Sequence, residues 1–206
     1  MKFEWRKEEK EIYLPKGIQV LDLPEYNYIT ITGTGNPNQP DFSEHIQALY
    51  PIAYGIRMAL KKGQLGNPFE YTVYPLEGVW TTSDGSKNET LNKDALVYKI
   101  MIRQPVLATE ELFDEIKENV IAKKSNQYFT DVKWESYQDG KVIEAMHTGP
   151  FDTEIETFQK MHDFMEENNL ERTTLMGDYQ HREIYLSDFR KVTPDKLKTV
   201  LRYKLK

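Results

Sequence analysis

The sequence predicts an α+β fold made of two similar strand-helix-strand-strand modules. A pseudo-twofold axis relates them, their sheets are antiparallel, and a ligand groove lies between the halves. Three observations point there. The order strand, helix, strand, strand occurs twice, on either side of a linking helix. A glycine turn precedes each main helix, Thr32-Gly33-Thr34-Gly35 in the first half and His147-Thr148-Gly149-Pro150 in the second. The chain has 206 residues and no cysteine, so its core must form from apolar burial alone, without disulfides or thiolate metal sites.

Residues 1–22 form an N-terminal arm that packs through Trp5, Ile12 and Leu14. The first module, 23–107, opens with a strand at about Tyr26–Thr32, ended by the turn-forming run Gly33-Thr34-Gly35-Asn36-Pro37-Asn38. A helix follows from Asp41, with Glu44 completing a capping box. Phe42, Ile46, Leu49, Ala53, Ile56 and Leu60 make its apolar stripe. Pro51 lies inside it, and Gly63 or Gly66 ends it. Glu70–Tyr74, continuing to Trp80, and Ala95–Arg103 read as strands joined by a polar loop, Ser83–Lys93. Pro105 stops the second of them.

Residues 108–137 supply the linking helix and connection. Thr109 caps the helix, and Leu112, Phe113, Ile116 and Val120 point inward. The second module, 138–206, runs through a strand at Lys141–His147 and a helix from Asp152 with Ile155, Phe158, His162 and Met165 on one face. Strands at His181–Ser187 and Thr199–Leu205 close it, with a helical turn opened by Thr193-Pro194 between them. The lysines from Lys196 to Lys206 alternate with apolar residues and read as a solvent-facing strand edge.

The net charge of −6, with both signs interspersed, argues against a duplex-DNA binder, which needs a basic face. No apolar run is long enough to span a bilayer, and Met1–Lys7 has no secretory apolar core, so a cytoplasmic, reducing compartment is expected. The four histidines show no metal-ligand spacing and no metal or cofactor is expected. Asn36-Pro37 breaks the dinucleotide pattern after Gly33-Thr34-Gly35, and no serine lies in a GxSxG context. A protein partner is permitted by the acidic balance, but no feature advertises one. Oligomeric state is open.

The strand His181–Asp188 carries the chemistry. Side chains alternate faces along a strand, so Glu183 and Tyr185 share one face while Ile184 and Leu186 form an apolar face suited to packing on helices. A carboxylate set among rings can hold an aromatic or cationic small molecule, or act as general acid or base. Glu183 reads equally well as a solvated strand carboxylate, or as one paired with Arg182 or Arg202. The 13 Tyr, 9 Phe and 3 Trp residues supply many rings for such a site. Trp80 and Tyr71 are the ring candidates on the first module's strands. Tyr50 and Tyr54, four apart on the first helix, are a groove wall or boundary residues. Phe42, Met101, Trp134 and Phe189 are further candidates for ligand contact, each with core packing as the plain alternative.

Five segments carry a family resemblance: Tyr13-Leu14-Pro15-Lys16, Gly33-x-Gly35-Asn36-Pro37, Met101-Ile102-Arg103-Gln104-Pro105, His147-Thr148-Gly149-Pro150-Phe151, and Glu183-Ile184-Tyr185-Leu186-Ser187-Asp188 with Pro194-x-Lys196-Leu197-Lys198-Thr199 after it. Their order and spacing, from about residue 4 to residue 203, resemble the GyrI-like small-molecule-binding proteins. The resemblance implies the duplicated architecture and a central groove that takes lipophilic, often cationic or aromatic compounds, with Glu183 at its centre. Many members carry an N-terminal helix-turn-helix domain, which this sequence lacks. Stand-alone members include hydrolases that open the cyclopropane of DNA-alkylating compounds through an aromatic cage and the glutamate. That subfamily implies catalytic roles for Glu183 and Tyr185. Phe189 departs from the proline expected after Asp188.

Overall fold

The computed structural model describes residues 2–87, 90–189 and 191–206. Its strands are β1 (Gln19–Thr34), β2 (Leu76–Thr82), β3 (Leu96–Gln104), β4 (Lys133–Thr148), β5 (Arg172–Thr173), β6 (His181–Tyr185) and β7 (Lys198–Leu205). The helices are α1 (Trp5–Glu8), α2 (Lys10–Tyr13), α3 (Pro40–Lys61), α4 (Glu110–Ile121) and α5 (Glu154–Glu167). Among the described residues no helix is long and apolar enough to cross a membrane.

Every strand pairing is antiparallel, and the sheet order is β4-β1-β3-β2-β6-β7-β5, with β4 also paired to β7. That extra pairing closes the sheet into a ring. Each half contributes a strand-helix-strand-strand unit with the same internal order, β1-β3-β2 and β4-β7-β6. The units meet at β1 with β4 and at β2 with β6. The expected α+β duplication is therefore present, as a strand-rich, barrel-like sheet. The lysine-rich C-terminal strand is not an edge. β7 lies between β4 and β6, and its Thr199, Val200, Leu201, Arg202, Tyr203 and Leu205 are buried.

Several elements differ from the sequence reading. β1 and β4 are each 16 residues long, far longer than their apolar cores. Their outer halves pair with each other, so polar positions that read as loop are held by the ladder. That ladder skips Pro24, which has no N–H to give, and Asp139 opposite it. Gly140, next to the gap, has φ +65°. Across it the inward-facing positions of β4 change parity, from Asp139 to Glu144, both held by Arg202. Glu70–Tyr74 is not a regular strand; Tyr71 makes only an isolated bridge to Phe3. α3 starts one residue before Asp41, at Pro40, and its N-cap Gln39 makes no side-chain cap, so the capping box does not form. Thr109 does cap α4, accepting from the Leu112 amide. The Ser83–Lys93 segment is loop in its described part; residues 88 and 89 lie outside the described residues.

α5 is rotated relative to its sequence reading. It begins at Glu154 after a short 3-10 turn, Phe151–Thr153, and buries Glu154, Met161 and Met165, with Phe158 half-buried. Ile155 and His162 face solvent. In the N-terminal arm, Trp5 and Tyr13 are buried with ring centroids 4.9 Å apart, while Leu14 is exposed.

The inner face of the ring holds ionised groups as well as apolar ones. Arg182 donates to Glu77 at 2.8 Å and to Asp139 at 2.9 Å. Arg202 donates to Asp139 at 3.1 Å and to Glu144 at 2.9 Å. All five side chains are buried. Burial pushes the Glu77 carboxyl up, with Arg182 offsetting only part of the effect. Burial pushes Asp139 up too, but Arg182 and Arg202 together outweigh it and hold Asp139 below the usual range. The two acids share Arg182 and both feel the charge of Arg202, but Arg202 hydrogen-bonds only to Asp139 of the two.

Candidate functional site at the module junction

β2 and β6 meet with Gly78 opposite Glu183, Trp80 opposite His181 and Leu76 opposite Tyr185. The pseudo-twofold that exchanges the modules therefore passes between Gly78 and Glu183, and it exchanges Trp80 with Tyr185. The site lies on this axis. His181, Glu183 and Tyr185 share one face by strand alternation.

Helices cover that face. The Phe42 ring of α3 lies 5.7 Å from Trp80, and the Phe158 ring of α5 lies 5.0 Å from His181. The reading that Ile184's face packs on helices is reversed: Arg182 and Ile184 point into the ring and are wholly buried. Arg182 and Arg202 are thus on the other face and pair with other acids, not with Glu183.

A hydrogen-bonded chain runs across the junction. Trp80 Nε1 donates to the Tyr185 hydroxyl at 3.0 Å, and that hydroxyl donates to Glu183 Oε2 at 2.8 Å. His181 Nε2 donates to Glu183 Oε1 at 2.8 Å. An ionised carboxylate only accepts, so both oxygens of Glu183 are engaged in that role. The chain requires the glycine beneath it. A Cβ at residue 78 would stand 2.8 Å from Trp80 Nε1 and 3.1 Å from the Tyr185 hydroxyl. Burial, and then the negative charge of Glu183, hold the Tyr185 phenol well above its ordinary pKa, so it remains a neutral donor. Tyr98 lies 5.3 Å from Trp80 and Phe151 lies 5.9 Å from Tyr185, which completes a wall of rings.

A second carboxyl belongs to this cluster. Glu154, first residue of α5, is 6% exposed, and its Oε1 has no hydrogen-bond partner among the described residues. In sequence it lies between two ring contacts to β6: Phe151, three residues earlier, is 5.9 Å from Tyr185, and Phe158, one turn later, is 5.0 Å from His181. Burial, then the charge of Glu183, push the Glu154 carboxyl well above the ordinary range. A helix N-terminus favours an anion by only about 0.3–1 kcal/mol, up to ~2 in good geometry. Burying an unpaired carboxylate costs several kcal/mol, so burial outweighs the helix dipole at this position.

The structure distributes the sequence candidates unevenly. Glu183, Tyr185, Trp80 and Phe42 come together. Tyr50 and Tyr54 continue the α3 face of Phe42 and Ile46 at four-residue steps. With Ile46, Phe129, Lys124 and Asp188 they line a cleft of about 570 Å³. Phe189 lies 6.3 Å from Phe151, one ring removed from Tyr185. Three candidates are placed elsewhere. Tyr71 is buried against Phe69, 5.8 Å away. Trp134 packs 5.9 Å from Phe113 of α4. Met101 is inside the ring, its sulfur 3.1 Å from Arg182. Sequence reasoning did not single out Gly78, His181 or Glu154. His181 could have been found from its parity with Glu183; Gly78 and Glu154 depend on which strands meet.

Comparison with known proteins adds the following. The model of a GyrI-like small molecule binding domain matches residues 17–206. An uncharacterised conserved protein of Listeria innocua is 36% identical, with a TM-score of 0.89 over 99% of this chain and 100% of its own. A hydrolase of the same organism is 34% identical, with a TM-score of 0.86 over 100% of both chains. A further Listeria innocua hydrolase is 33% identical, with a TM-score of 0.84 over 99% of this chain and 100% of its own. Among curated proteins, none matches the chain.

Proposed function

This chain belongs to the GyrI-like small-molecule-binding family, and from that premise we propose that it takes flat, lipophilic molecules at the β2–β6 junction and hydrolyses a strained ring in them. The substrate class is a cyclopropane conjugated to a dienone, as in DNA-alkylating cyclopropanoids, and the role is xenobiotic detoxification in the cytoplasm. The observation that carries the reading is the chain Trp80–Tyr185–Glu183–His181, set among rings at the pseudo-twofold. The hydrolases of Listeria innocua, similar along the whole length, support the reaction type.

The chemistry follows from the donors. A water oxygen bonds to the cyclopropane carbon as the ring C–C bond breaks, and the electron pair moves through the dienone to its oxygen. Glu183 takes the proton that water loses. Tyr185, a neutral O–H beside it, donates to the developing oxyanion and recovers a proton from Glu183. The sum is addition of one water. Trp80 and its neighbouring rings stack on the substrate and exclude bulk water.

The test is incubation with a cyclopropanoid and detection of the hydrated product by mass spectrometry. Turnover in the wild type above a heat-killed control is expected. Glu183→Gln should lower kcat by roughly 10²-fold or more while changing binding less, since general-base catalysis is worth 10²–10⁴. Equal rates in wild type and the heat-killed control would refute the enzyme. Binding without chemistry is the second reading, favoured by one observation: both oxygens of Glu183 are already engaged. Ligand-dependent thermal stabilisation with recovery of unchanged ligand identifies it.

A further inference from the structure

Two carboxyl groups share the junction, and they are not in equivalent settings. Glu183 accepts from Tyr185 and His181. Glu154 is buried, and its Oε1 has no hydrogen-bond partner among the described residues. Ring contacts on either side of Glu154 place it over β6: Phe151 lies 5.9 Å from Tyr185 and Phe158 5.0 Å from His181, the two residues that hold Glu183.

We propose that Glu154 and Glu183 work as a pair in which Glu154 keeps the proton and Glu183 keeps the charge. Glu154 is then a positioning residue: its proton limits the site to one negative charge. A second charge there would repel the one that Glu183 holds as the base of the proposed hydrolysis. The proposal deepens that reading of the site and rests on it for its catalytic meaning.

The surroundings of Glu154 favour the protonated form. Glu183 on β6 and Asp152 in the preceding turn are both acidic and both raise its pKa. Tyr185 on β6 and Thr199 on β7 present neutral hydroxyls. His147 on β4 is engaged with the turn itself, its Nε2 donating to the Pro150 carbonyl at 3.1 Å and its Nδ1 lying 2.9 Å from the Thr157 hydroxyl. Burial acts in the same direction, so proton retention has several independent sources.

The measurement needs no ligand. Glutamate side chains labelled with 13C at the carboxyl are titrated by NMR in the full chain, and Glu154→Gln identifies the Glu154 signal. We expect that signal to remain protonated at neutral pH, above the other glutamates, and to titrate at lower pH once Glu183→Gln removes the facing charge. Thr199→Val, which removes the hydroxyl that favours the ionised form, should move it to higher pH. This second variant carries the test if Glu154→Gln fails to fold, because the highest-titrating signal must then shift upward. A Glu154 signal that titrates with the surface glutamates, or that ignores both neighbours, overturns the proposal. These outcomes stand whether or not the protein turns anything over.

Discussion

At the scale of the residue, the junction depends on an absent side chain. Gly78 lies beneath the indole and phenol that connect the two modules, and a methyl group there overlaps Trp80 Nε1. Gly78→Ala should separate Trp80 from Tyr185, lower ligand affinity and turnover together, and destabilise the fold by about 1–3 kcal/mol, the cost of overpacking. Denaturant unfolding and ligand titration check both effects; unchanged binding would mean that the Trp80–Tyr185 bond is not part of the site. Glu183 and Tyr185 were legible in the sequence because strand alternation is a local rule. Gly78 was not, since a glycine in a strand is informative only once its cross-strand neighbour is known. Glu154 was hidden for a related reason. A glutamate at a helix start ordinarily reads as a solvated complement to the helix dipole, and only the closed sheet beneath it makes the position a buried one.

At the scale of the element, α5 shows how one inward polar residue shifts a reading. The stripe Ile155, Phe158, His162, Met165 has helical spacing, but the face that packs is Glu154, Phe158, Met161, Met165, which has it too. A periodicity that counts only apolar residues cannot include Glu154, and it settles on the neighbouring phase. The two phases make opposite predictions. Met161→Ala should cost about 2–5 kcal/mol as a core truncation. Ile155→Ala, at a position 45% exposed, should stay within about 0.5 kcal/mol. Chemical denaturation of the two variants decides between them, and a larger loss from Ile155→Ala would reject the observed phase. α3 was read more securely, because its buried stripe is apolar apart from His45. The long strands were read short for the opposite reason: their outer halves are polar and are held by pairing between β1 and β4, a contact between residues more than a hundred positions apart.

At the scale of the molecule, the ring ties the modules into one unit. The modules share two strand junctions, and a run of buried charges, Glu77, Arg182, Asp139, Arg202 and Glu144, crosses from β2 through β6 and β7 to β4. We therefore propose that residues 1–206 unfold as a single cooperative domain. Arg182→Met tests this, since it cuts the run in the middle, removing the cation that Glu77 is bonded to and leaving Asp139 with Arg202. Breaking a buried ion pair from one side costs about 3–5 kcal/mol, because the remaining charges are uncompensated. The pH dependence has a defined sign. In the wild type Asp139 is held below its ordinary pKa, so it contributes stability that is present above the usual aspartate range and lost as pH falls through the lowered value. Glu77 is raised, so its contribution runs the other way, falling as pH rises through the raised value. Without Arg182 both acids are easier to protonate, and acid relieves them. The penalty of Arg182→Met should therefore be largest at neutral pH and shrink as the solution is acidified through the carboxylate range. Calorimetry should show one transition in both proteins, with calorimetric and van't Hoff enthalpies equal, merely shifted to lower temperature in the variant. Two resolved transitions would show that the modules hold their structure independently, and a penalty that grew on acidification would show that the carboxylates are not what Arg182 compensates.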